Sequence, residues 1–186
     1  MGLLKSIFGG GDPPPPRNIE SPKDFKLGDM VKMEFSDQAL ISGQTLKVIE
    51  QKFYDISAIE KCKIVSVMEG VEQRVYFSTS VVNPDRPFEV AIALLPDTVF
   101  KIFKRKSFVA IFEEPDNSEH RITCKSKREK LNEFQGFLGE SYFQERTSEA
   151  YYSENDCRDG TVSPSNWTAF DYKLMVSDNR QHAVRI

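Results

Sequence analysis

The sequence predicts a mainly β fold: an antiparallel sheet or partly closed barrel carrying one amphipathic helix near Lys127–Leu138. Three observations predict it. β-Branched and aromatic residues dominate from Gln44 to Ser80. Apolar runs recur every ~8–12 residues between turn signals. A single stretch combines a helix start, an apolar stripe at helical spacing and a glycine stop. A parallel design would instead alternate strands with several helices.

Ser21-Pro22 initiates a turn at the start of the fold, and Leu27, Val31 and Phe35 begin apolar patterning. Strands are expected at Leu46–Asp55, Ala58–Met68 and Glu72–Thr79, the second with one wet face because Lys61, Lys63 and Glu69 alternate with Cys62, Ile64 and Met68. After the turn Asn83–Pro87, the residues Phe88, Val90, Ile92 and Leu94 alternate most cleanly of all, and Pro96-Asp97 breaks the run. Val99–Lys104 and Phe108–Glu113 read as a strand pair with Lys104-Arg105-Lys106 at its tip, followed by a short strand His120–Cys124. Ser126 and Glu129 form a capping box for the helix, Leu131, Phe134 and Leu138 line one face, and Gly139 stops it. Strands at Tyr142–Ser148, Ala150–Tyr152, Trp167–Val176 and His182–Ile186 complete the pattern.

Residues 1–23 read as a separate unit, and 24–186 as one β-rich domain. The head places Leu3, Leu4, Ile7 and Phe8 on one side of a short helix, with Lys5 opposite. Gly9–Gly11 ends it, and Pro13–Pro16 form a stiff spacer. Burying four large apolar side chains yields roughly 6–12 kcal/mol, most of it offset by ordering about eight residues at ~1–2 kcal/mol each. The tip is therefore expected to be a weak, reversible anchor for a membrane surface or a partner protein. M-G-x-x-x-S also matches the myristoylation pattern. The head is too short to span a bilayer and lacks the apolar core of a secretory signal.

The net charge of −3 argues against nucleic-acid binding over the whole surface. Charge is uneven, however: Val99–Lys130 holds nine Lys/Arg against five Asp/Glu. Its cations are Lys101, Lys104, Arg105 and Lys106, then Arg121, Lys125, Lys127, Arg128 and Lys130. Phe100, Phe103 and Phe108 lie among them, an arrangement that could serve single-stranded nucleic acid, although strand alternation would send Phe and Lys to opposite faces. Joined to the tip, the same cations make a second contact with an anionic membrane.

Enzyme chemistry finds little support. No P-loop, dinucleotide-binding, nucleophile-elbow or H-E-x-x-H motif occurs, so no catalytic residue and no cofactor is assigned. His120, Cys124, Cys157 and His182 lack the close ligand pairs of a structural zinc site, and no metal is expected. Pairing Cys157 with His182, or Cys124 with His120, as nucleophile and base has no local motif behind it. The loop SENDCRDG misplaces its carboxylates for calcium. An aromatic-lined pocket built from Tyr151, Tyr152, Trp167 and Tyr172 is the remaining enzyme or small-ligand alternative. Cys62, Cys124 and Cys157, odd in number and widely spaced, are expected to be thiols in a reducing compartment, which places the protein in the cytoplasm.

The MGLLKSIFGG head, FKLGDMV, FKIFKRKSFVAIFEE, LNEFQGFLG and the closing WTAFDYKLMVS together resemble, in order and spacing, an uncharacterised bacterial domain-of-unknown-function family. That family is encoded beside phage-shock-protein-A-like membrane-coat proteins. The resemblance implies a cytoplasmic accessory factor in envelope maintenance, peripheral on the inner membrane and acting through protein or membrane contact, not an enzyme.

Overall fold

The computed structural model describes residues 19–36, 38–56, 60–71, 74–83, 88–113, 120–125, 134, 138–159, 163–179 and 181–185. The apolar tip, most of the helix expected at Lys127–Leu138, and Lys127, Arg128 and Lys130 lie outside them. Among the described residues the chain runs β1 (Met30–Lys32), β2 (Thr45–Ile56), β3 (Glu60–Glu69), β4 (Val75–Ser80), β5 (Glu89–Ile92), α1 (Pro96–Ile102), α2 (Arg105–Glu113), β6 (Arg121–Thr123), β7 (Ser141–Ser153), β8 (Thr168–Ser177) and β9 (Ala183–Arg185). The mainly β, antiparallel architecture is as the sequence predicts.

All strands join one sheet in the order β5-β4-β3-β2-β7-β8-β9, with β1 added to β2 and β6 to β7. Every pairing is antiparallel. β2 and β7 meet over one short stretch, Phe53–Asp55 against Tyr151–Ser153. The far ends of the strand order nevertheless approach each other. Arg185 on β9 pairs with Glu89 on β5 at 2.6 Å, and Val184 packs on the same apolar cluster as Ile92. The sheet is therefore curled until its rims are joined by side chains, without closing.

Register places Val48, Gln51, Phe53, Ile64, Ser66, Met68, Val75, Phe77, Val90 and Ile92 on one face. Phe25 and Ile41, from the segment before β2, pack against it. At the other end of the sheet the same face carries Tyr142 and Met175, covered by Ile102, Phe103 and Ile111 of the helical pair and by Phe134. Phe134 and Leu138, expected on one face of a helix, both pack on this cluster, although Leu138 is outside any helix. The opposite face carries Lys63, Ser78, Glu89 and Arg185, then Tyr54, Tyr152, Phe170 and Tyr172. Gly70 links β3 and β4 at φ +138, and a Cβ there would meet the Thr45 carbonyl oxygen at 2.6 Å, so the turn needs glycine.

Several expectations are corrected. The expected strands Val99–Lys104 and Phe108–Glu113 are helical, at Val99–Ile102 in α1 and Phe108–Glu113 in α2, and only Phe103 makes an isolated extended bridge, to Cys124. Pro96 takes an N-terminal helix position with Asp97 in the first turn, so the dipeptide read as a strand breaker is a helix start. Val99, Ile102 and Phe103, then Phe108, Ile111 and Phe112, follow i, i+3, i+4 spacing and pack as helices. The strand around Phe88–Leu94 shrinks to the four residues of β5. The two strands expected within Tyr142–Tyr152 are one, β7, with a register shift between Gln144 and Arg146.

The cysteines are also not three thiols. Cys62 and Cys157 form a disulfide across 95 residues, with Cα atoms 6.0 Å apart, because the β7–β8 connection folds back over β3. Cys124 keeps its thiol, which donates to the Gly139 carbonyl oxygen at 3.2 Å. The cysteine argument for a reducing compartment falls with this pairing. Among the described residues, no helix is long and apolar enough to cross a membrane.

Candidate functional site

The helical pair α1–α2 carries the most distinctive surface. α1 ends at Ile102 and is capped by Phe103, whose extended backbone bridges to Cys124, and α2 starts at Arg105. The short break leaves Lys101, Lys104, Arg105 and Lys106 exposed on and beside the junction. Two of these cations open α2 with no acidic residue in its first turn, an arrangement the helix dipole disfavours. Arg105 has a compensating contact, its guanidinium lying 5.3 Å from the centre of the Phe100 ring.

A series of rings leads from the core to this surface. Tyr142 meets Phe103 edge-on at 5.9 Å, Phe103 stacks on Phe108 at 5.8 Å, and Phe108 touches both Phe100 at 6.1 Å and Phe112 at 5.8 Å. Phe103 is fully buried, whereas Phe112 is 57% exposed. Leu95, immediately before α1, is 71% exposed. Cations and an apolar ring thus share one helical element, which removes the alternation argument that would have separated them. Lys125 is different: its ammonium donates to the Phe100 carbonyl oxygen at 2.5 Å and helps close α1. Lys173 does the same for α2 through the Ile111 carbonyl oxygen at 2.8 Å.

A second polar cluster lies at the rims of the sheet, and sequence reading did not single it out. Lys63, only 5% exposed, donates to Glu89 Oε2 at 2.6 Å; Ser78 Oγ donates to the same oxygen at 2.9 Å, and Arg185 at 2.6 Å. Burial raises the Glu89 carboxyl, but the charges of Arg185 and Lys63 outweigh it and hold the group below the ordinary carboxylate value. No spacing rule announces this cluster, since its members come from β3, β4, β5 and β9.

The other sequence candidates are dispersed. Cys157 lies in the disulfide and so does not serve as a nucleophile beside His182. Burial lowers the pKa of His182. His120 and Cys124 are both buried. Among the described residues, no three of His, Cys, Asp and Glu gather in a metal-holding group. The four aromatics proposed for a pocket divide between the two faces. Tyr152 packs with Tyr54 and Phe170, ring centres 5.9–6.4 Å apart, and Tyr172 is buried beside Phe170. Tyr151, next to Tyr152 along β7, lies on the other face and donates to Glu149, while Trp167 packs near the disulfide. No family model matches the chain, and neither a curated protein nor a solved structure does.

Proposed function

We propose that the protein is a non-catalytic binding protein that docks on an anionic membrane surface through the α1–α2 junction, with the N-terminal apolar head as a second contact. The observation that carries this reading is the cluster of four exposed cations within six residues, joined through Phe100 and Phe108 to the exposed ring of Phe112. Each cation near an anionic leaflet contributes ~1 kcal/mol, and partial insertion of one Phe about 1–2 kcal/mol. The sum corresponds to a dissociation constant of roughly 0.1 mM, weak enough to need the head for stable attachment. Placement on the cytoplasmic side, beside a membrane-coat partner, follows the family resemblance and forms part of the same proposal.

Sedimentation of the full chain with phosphatidylserine-containing vesicles, against purely zwitterionic ones, tests the reading. Binding should require the anionic lipid, fall with added salt, and drop about tenfold or more in K104E/R105E. Equal pelleting of the variant, or equal pelleting with zwitterionic vesicles, would count against it. Single-stranded oligonucleotide binding that disappears in the same variant while vesicle binding persists would favour the nucleic-acid alternative.

A further inference from the structure

We propose that Cys62–Cys157 is a thiol–disulfide exchange site, opened by a dithiol reductant, and that its opening releases the Asp156–Arg158 turn from the N-terminal segment. The first support is the backbone at Cys62. Tyr54 pairs with Lys63 and Ile56 with Glu60, so Asp55 faces both Lys61 and Cys62, a β-bulge in β3. Cys62 occupies it at φ +51, the only positive φ outside glycine among the described residues. That conformation suits glycine and strains any residue with a Cβ. The bulge takes Cys62 out of the regular pairing with β2, where its side chain carries the cross-link.

The second support is access. Cys62 is partly buried, whereas Cys157 is 8% exposed beside Phe53 and Ile64. We therefore place the attack of an incoming thiolate on the sulfur of Cys62, the less buried partner. The sulfur–sulfur bond breaks, its electron pair leaves on Cys157, and that sulfur takes a proton. The second thiol of the reductant then displaces Cys62, giving two protein thiols and one cyclic disulfide of the reductant: two electrons and two protons transferred.

The third is what the bond secures. Next to Cys157, Arg158 donates to the carbonyl oxygens of Lys23 at 2.9 Å and Phe25 at 3.0 Å, pairs with Asp156, and lies 5.8 Å over the Phe53 ring. The Phe25 carbonyl oxygen also accepts from Gln51 at 2.9 Å. One turn thus holds both the sheet and the segment that leads to the N-terminal arm. The disulfide is its sole covalent restraint.

Thiol counting and proteolysis of the full chain test the proposal. Protein handled in air and then denatured should show one thiol, from Cys124, and three after dithiothreitol. In graded mixtures of reduced and oxidised dithiothreitol, opening should be reversible and leave the far-ultraviolet circular dichroism unchanged. Over the same mixtures, trypsin cleavage after Arg158 should accelerate about tenfold, tracking the open population. C62S should show the fast cleavage without reductant, and C124S should behave as the parent chain. If C62S fails to fold, the dithiothreitol titration of the parent decides alone. Three thiols without reductant, cleavage indifferent to reduction, or loss of the whole fold on opening would each overturn the proposal.

Discussion

Glu89 accepts hydrogen bonds from Lys63, Ser78 and Arg185, residues contributed by three other strands. Its carboxyl titrates below the ordinary value of 4.5, so it supplies stability that is fully present above that pH and lost as pH falls through the folded value. Glu89→Gln should therefore cost stability at neutral pH, where Lys63 and Arg185 would face each other across a neutral amide. The gap between variant and parent should close as acidification carries the pH down through the lowered folded value, as followed by urea unfolding across pH. Lys63→Ala removes a nearly buried partner and should cost about 3 kcal/mol; the Glu89 side chain is a third exposed, which keeps the value at the lower end for such pairs. Lys63→Met should cost less, because its stem can pack where the lysine methylenes do. A Lys63→Ala variant as stable as the parent in urea would refute the role. In the sequence, Lys63 reads as a wet-face residue because alternation reports the face and not what covers it.

Elements were legible where one periodicity was present. β2, β3, β7 and β8 announce themselves through β-branched and aromatic runs, and the structure shifts their ends by a few residues. The stretch Val99–Glu113 satisfies both a period of two and a period of 3.6, because Val99, Phe100, Ile102 and Phe103 are all apolar. Helical spacing wins there through packing: Val99 and Ile102 of α1, and Phe108 and Ile111 of α2, each pair three residues apart, reach one cluster. The disulfide was illegible for another reason, since spacing carries no information on which connection folds over which strand. Closing 95 residues confers roughly 4–5 kcal/mol in the chain-entropy view, of which disulfides typically deliver about 2–4 kcal/mol. C62S should thus unfold with about 2–4 kcal/mol less stability in urea than the oxidised parent, and with the same stability as the parent in reductant. A difference persisting between them in reductant would refute this account.

The molecule as a whole depends on a corner and a seam. At the corner β2 and β7 share a short ladder, and at the seam β5 and β9 share side-chain contacts. The central strands β3 and β7 are paired along both sides for at least part of their length, whereas β5 and β9 each have one ladder. Amide hydrogen exchange should accordingly be slowest in β3 and β7 and fastest in β5 and β9. Glu89→Gln should speed exchange in both rim strands together; acceleration confined to β5 would show that the ion pair does not hold the seam.

Seven strands lie on the path from one rim to the other, each antiparallel to the next, so β5 and β9 point the same way. Two strands with a common direction cannot be connected by a tight hairpin, and a ladder between them would be of the slanted parallel kind. Shortening a loop therefore cannot convert this sheet into a complete cylinder. An eighth staves-and-hoops member, running opposite to both neighbours, is the one addition that would satisfy the alternation all the way round.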